Sequence, residues 1–193
     1  MDGAVMDAAV ARARDGDRTA FGQLWQHLSP RVAAYLRSHG VADADDVTSE
    51  VFLAVFRQMD RFAGEGAAFR ALVFTVAHRR QVDWHRQRTR RGTWLALEEA
   101  PEPATPSAET AALAAIADKQ VVAALGTLTP DQRSVLALRV VAELSLQETA
   151  AVLGKDLGAV KSLQHRALGR LRRKLSPDPY PWDALTRLNA RHA

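Results

Sequence analysis

The chain has 193 residues, 47% of them hydrophobic, 25% charged and 6% aromatic, a make-up that suits one ordinary domain or two small ones and excludes composition-driven disorder or a fibre. It contains no cysteine, which removes disulfides, thiolate zinc sites and thiol nucleophiles. With 26 Lys and Arg against 22 Asp and Glu, the net charge is +4 and the pI is near 9.9, so an anionic partner is favoured without being specified.

Residues 1–91 carry a net +3, residues 119–193 a net +6, and residues 92–118 a net −5 with no Lys or Arg and with Pro101, Pro103 and Pro106. The middle stretch reads as an acidic, flexible linker whose alanine-rich end, Thr110 to Ala117, can start a helix. The expected domains are therefore 1–91 and 119–175, with a tail over 176–193 of unassigned role. The N-terminus MDGAVMDAAVARARDGD has acids where a signal peptide needs a basic start and an apolar core, and no run of about 18 apolar residues occurs. A soluble, unexported chain without membrane insertion is expected.

Apolar residues recur at three- and four-residue intervals almost throughout, which predicts an all-α protein. Phe21, Leu24, Trp25, Leu28, Val32, Tyr35 and Leu36 form a helical stripe from Thr19 to Ser38, with Pro30 expected to kink or restart it. The next helix is expected from about Asp43 to Arg61. Its apolar flanks hold Val47, Val51, Val55 and Phe62 on one side and Phe52, Phe56 and Met59 on the other. Asp43, Asp46, Glu50 and Arg57 fall within a sector of about 60° at 100° per residue, a narrow polar stripe fit for docking or simply for solvent. Asp43, Asp45 and Asp46 lack the spacing and the loop glycine of an EF-hand.

Gly64 and Gly66 mark a loop before a long helix, expected from Ala67 to Arg91 with six Arg and one Asp between 79 and 91. One side holds Phe69, Val73, Val76, Ala77 and Trp84. Another holds Arg79, Asp83, Arg86 and Arg90, where Asp83 is spaced to pair with Arg79 or Arg86. A third side, Phe74, His78, Gln81, His85 and Arg88, mixes planar and cationic groups suited to unpaired bases.

In the last third, Thr129, Pro130, Asp131 and Gln132 fit a capping box with proline at the first helical position, and Ser145 with Glu148 makes a second box. Gly154 supplies a positive-φ stop and Asp156 a cap for the following helix. This is helix-turn-helix grammar, with Val160, Leu163, Ala167, Leu168, Leu171 and Leu175 inward and bases outward. Between Lys161 and Lys174 lie six basic residues and no acid. Gly158, Lys161, Ser162, His165 and Arg166 occupy the positions from which base edges are reached, while Arg170, Arg172, Arg173 and Lys174 suit phosphates.

Three segments resemble, in order, bacterial RNA polymerase sigma factors of the extracytoplasmic-function (ECF) group. DADDVTSEVFLAVFR resembles the segment that docks on the polymerase clamp, FRALVFTVAHRRQVDWHRQRTRR the promoter-melting and minus-10 helix, and LTPDQRSVLALRVVAELSLQETAAVLGKDLGAVKSLQHRALGRLRRKL the minus-35 domain. The resemblance implies a four-helix promoter-melting domain and a helix-turn-helix domain, with core RNA polymerase, promoter DNA (duplex and single-stranded) and an anti-sigma factor as partners. It implies no cofactor, no metal and no catalysis, and a cytoplasmic protein that an anti-sigma partner can hold at the membrane.

By position it assigns Asp43, Asp46, Glu50 and Arg57 to polymerase binding. Phe62, Gly64, Arg79, Asp83, Trp84, Arg86 and Arg88 go to the minus-10 element, with Phe62 and the Gly64 to Ala67 loop bordering a pocket for a flipped base. Gly158, Lys161, Ser162, His165, Arg166 and Arg170 go to the minus-35 duplex. His78 and Arg79 replace the family's common Arg then Asn, and Leu163 and Gln164 replace a basic residue then Leu, so base preference does not transfer. Two readers also need reach, and 27 linker residues span at most ~90 Å against roughly 70 Å for two duplex turns. The rival readings are a stand-alone helix-turn-helix regulator and, without any zincin, P-loop, dinucleotide or nucleophile-elbow pattern, an enzyme.

Overall fold

The computed structural model describes residues 1–95 and 125–174, and these are helical with no strand among them. The first module contains α1 (Gly3–Arg14), α2 (Arg18–Ser38), α3 (Ala44–Phe56), a 3-10 turn (Met59–Arg61) and α4 (Gly66–Leu95). The second contains α5 (Pro130–Val140), α6 (Leu146–Leu153) and α7 (Leu157–Lys174). The remaining parts of the predicted linker and the tail from 176 lie outside the described residues; α4 itself runs on to Leu95, past the predicted linker start at Gly92.

Helix α1, given no range in the sequence analysis, completes the four helices expected of this module. Met6, Ala9, Val10 and Ala13 recur at three- and four-residue spacing and are buried, and the Asp2 carboxylate accepts from the Gly3 amide at its start. Asp17 then caps α2, accepting from the Thr19 and Ala20 amides at 2.8 and 3.1 Å, which satisfies two otherwise orphan donors.

Helix α2 passes through Pro30 without restarting. Pro30 removes the hydrogen bond to the Gln26 carbonyl, but both residues are exposed and water can serve that oxygen, while Leu24, Leu28, Val32, Tyr35 and Leu36 on the opposite side are buried. Core packing outweighs the local cost.

Helix α3 stops at Phe56, earlier than predicted. The chain tightens there, with the Gln58 amide on the Val55 carbonyl at 3.1 Å, and this tucks Met59 into the core at 3% exposure. Phe56, expected on a covered flank, is 48% exposed. Phe21 stacks edge-on against it, 4.9 Å between ring centres.

The two modules touch. One continuous apolar cluster runs from Tyr35, Phe74 and Ala77 in the first into Ala137, Leu138, Ala142, Leu144 and Val152 in the second. The α4 face expected to stack on unpaired bases is instead largely internal: Phe74 is fully buried, His78 Nδ1 is 2.9 Å from the Tyr35 hydroxyl, Gln81 is buried, and His85 Nε2 donates to the His39 carbonyl at 2.9 Å.

Candidate nucleic-acid and polymerase interface

Three surfaces carry the predicted site residues. On α3 and at its two caps, Asp43, Asp46, Glu50 and Arg57 are all exposed, and Glu50 makes a 3.4 Å ion pair with Arg80 of α4. Beside them stand three exposed apolar side chains, Trp25 at 42%, Leu53 at 57% and Phe56 at 48%. Charged side chains and an uncovered apolar patch thus lie side by side on this surface. Leu53 was legible, since at 100° per residue it falls about 20° from the edge of the polar stripe. Trp25 and Phe56 were not, because their apolar spacing looks like core.

The second surface is the loop after the 3-10 turn and the outer side of α4. Phe62 is half-buried and packs edge-on against Phe69, 5.8 Å between centres. A Cβ on Gly64 would lie 2.6 Å from the Phe62 ring and 2.7 Å from the Ala68 Cβ, so only glycine lets the loop fold this tightly. The loop's far end is held by a residue that no motif flagged: Asp7 of α1 accepts from the Gly66 amide at 2.8 Å. Arg79, Asp83, Arg86 and Arg88 are exposed and Trp84 is half-buried. Asp83 lies 3.8 Å from Arg86, and the Arg88 guanidinium sits 5.4 Å from the centre of the Trp84 ring. The outer face therefore presents cations with an aromatic edge, while the histidines face inward.

The third surface is the helix-turn-helix. Both capping boxes form, Thr129 with Gln132 and Ser145 with Glu148. Gly154 takes φ 60° and ψ 35°, left-handed geometry that suits glycine, and Asp156 accepts from the Ala159 amide at 2.8 Å. Thr149, Ala150, Val160 and Ala167 are buried and fix α7 against α5 and α6. Gly158, Lys161, Ser162, His165, Arg166 and Arg170 then all project outward as exposed residues. Arg166 Nε donates to the Ser162 carbonyl at 3.2 Å, and Arg170 donates to the Thr127 carbonyl at 3.1 Å. Both guanidinium groups are thus partly positioned before any ligand arrives.

Among the described residues, no group of three or more His, Asp or Glu could hold a metal, and no helix is long and apolar enough to cross a membrane. A four-helix module with an exposed acidic and apolar face, followed by a capped helix-turn-helix whose last helix is cationic on its outer side, is the build of an RNA polymerase sigma factor of the sigma-70 type. Residues 24–91 match Sigma-70 region 2 and residues 124–173 match Sigma-70, region 4.

Within that class the chain belongs to the ECF RNA polymerase sigma factors. It is 37% identical over 180 residues to SigD of Mycobacterium tuberculosis, covering 89% of this chain and 84% of that one. It is 35% identical over 184 residues to BldN of Streptomyces coelicolor, covering 92% and 68%. Its fold is similar to CnrH as solved in complex with the cytosolic domain of CnrY, with a TM-score of 0.65 and 27% identity over 91% of this chain and 99% of that one. The chain is thus a transcription initiation factor whose partners are core RNA polymerase and promoter DNA. Helix α1 lies outside the region 2 match.

Proposed function

We propose that the three surfaces divide the work of initiation among named residues. Asp43, Asp46, Glu50 and Arg57, with Trp25, Leu53 and Phe56, dock the first module on the polymerase. The Phe62 to Ala67 loop takes a flipped base, and Arg79, Asp83, Trp84, Arg86 and Arg88 hold the opened minus-10 strand. Gly158, Lys161, Ser162, His165 and Arg166 read the minus-35 duplex while Arg170 grips phosphate. Opening duplex costs a few kcal/mol per unstacked step, so a surface that captures single-stranded bases favours the melted state. The protein is not an enzyme; it supplies binding energy to one.

The observation that most supports this reading is the outward projection of all six predicted α7 residues from a turn fixed by two capping boxes and a left-handed glycine. The acidic linker is proposed to avoid DNA and lie in a basic channel of the polymerase. Control by an anti-sigma factor in the cytoplasm belongs to the same reading, in keeping with the complex of CnrH with CnrY. Run-off transcription tests it: core polymerase with this protein should start at discrete sites on genomic templates, and each component alone should not. Tight promoter binding by the protein alone, with no effect of polymerase, would instead identify a stand-alone regulator.

A further inference from the structure

A cavity of about 580 Å³ opens between the end of α2, the second half of α4 and the start of α5. Its volume falls within the roughly 300–1,000 Å³ usual for small-molecule sites. Helix α4 supplies two neighbouring rows at four-residue spacing, Gln81 and His85 in one, Val82, Arg86 and Arg90 in the other. Pro130 and Arg133 of α5 line it from the second module.

The interior holds one unused hydrogen-bonding group. Gln81 is only 8% exposed, and among the described residues its side-chain amide meets no hydrogen-bond partner. A buried amide without a partner is costly to the fold, so a ligand that both donates and accepts gains by filling the place. The imidazoles nearby are already committed: His85 Nε2 donates to the His39 carbonyl at 2.9 Å, and His39 Nε2 is 2.9 Å from the Ser134 hydroxyl. They form fixed planar walls. The rest of the lining is cationic. Arg86 and Arg90 are exposed and Arg133 is half-buried, and among the described residues no carboxylate lines the cavity. Asp83 stands 3.8 Å from Arg86, and Asp131 pairs with Lys155 at 3.0 Å, which leaves Arg90 and Arg133 without an ion pair among the described residues.

We propose that this cavity binds a phosphorylated adenine nucleotide, with the base at Gln81 and the phosphates at Arg86, Arg90 and Arg133. A glutamine amide matches the adjacent N6 donor and N7 acceptor of adenine with an acceptor and a donor of its own. Val82 and Pro130 give the ring apolar walls. Guanidinium groups take phosphate oxygens in charge-assisted bonds, often two at a time. From Gln81 to Arg90 the helix rises about 13 Å, the span of a nucleotide with its phosphates extended. Gln81, Arg90 and Arg133 belong to none of the polymerase or promoter sets given above, and Arg86 alone is shared with the minus-10 set. The site is therefore additional to promoter reading.

Calorimetric titration of the full chain with ATP, and separately with adenosine and inorganic pyrophosphate, tests it. ATP should bind one per chain and about tenfold or more tighter than either half, since only the whole ligand meets both ends of the cavity. Gln81→Leu should weaken ATP about two- to tenfold and leave pyrophosphate unchanged. Arg90→Ser with Arg133→Ser should weaken ATP and pyrophosphate alike, about tenfold or more. The arginine pair lies at or near the surface, so it decides the matter should leucine at 81 disturb the packing. No ATP binding, ATP no tighter than pyrophosphate, or an affinity unmoved by the arginine pair overturns the proposal. So does a short single-stranded oligonucleotide that loses affinity in Gln81→Leu while ATP does not, which would give the cavity to the promoter strand. These titrations use neither polymerase nor promoter duplex, so they succeed or fail independently of run-off transcription.

Discussion

Acidification should weaken the contact between the modules through one imidazole. Burial holds His39 down to about 4 from an ordinary 6.5, against the opposing pull of the Tyr35 carbonyl. The groups facing it are Tyr35 of its own helix, His78 and His85 of α4, and Ser134 and Arg133 of α5. None is a carboxylate that would welcome a proton. The folded state therefore binds fewer protons than the unfolded one, so its stability is fully present above pH 6.5 and is lost as pH falls toward 4. At about 1.4 kcal/mol per pK unit, the loss comes to about 1 kcal/mol by pH 5.5 and about 3 kcal/mol by pH 4. Carboxylates elsewhere titrate in the same range, so the measurement is a difference. Denaturant unfolding of the wild type and of His39→Gln, at pH 7.5, 5.5 and 4.5, should give stabilities that converge or cross as pH falls, with the wild type losing more. Parallel pH profiles would refute the assignment of this loss to His39.

Reversing Asp46 and Glu50 to Lys should weaken co-purification with core polymerase while circular dichroism stays unchanged, since both are exposed and the Glu50–Arg80 pair is worth less than about 1 kcal/mol. Lys161→Ala with Arg166→Ala should thin the minus-35 footprint and flatten the salt dependence of binding by about 0.9 for each phosphate no longer gripped. Asp7→Ala should cost about 1 kcal/mol of stability and weaken binding of single-stranded minus-10 DNA, whereas Asp7→Asn, whose amide oxygen still accepts from Gly66, should recover most of both. Gly154→Ala should cost about 1 to 2 kcal/mol in thermal or denaturant unfolding, purely from its left-handed backbone, because the added methyl meets nothing within 4 Å.

Local chemistry was readable where one short stretch decides the outcome. The boxes at Thr129 and Ser145, the stop at Gly154 and the cap at Asp156 each depend on neighbours within four residues, and all formed. The outward set on α7 followed from the same register. What eluded the sequence was long-range. Periodicity separates the faces of α4 but does not say which apolar partner arrives, so Phe74, His78 and His85 passed for a base-stacking face until α2 and the second module covered them. Trp25 and Phe56 erred the other way, apolar by spacing yet left uncovered. Asp7 was invisible because its partner, the Gly66 amide, is 59 residues distant.

Helix α4 is a party wall. Thirty residues in one unbroken rod, about 45 Å long, serve two tenants on opposite sides, and neither can renovate alone. Changes at 74, 78, 81 or 85 should surface as lost stability, those at 79, 83, 86 or 88 as altered choice of promoter. A tilt of the rod passes to both, so drift on one side is policed from the other.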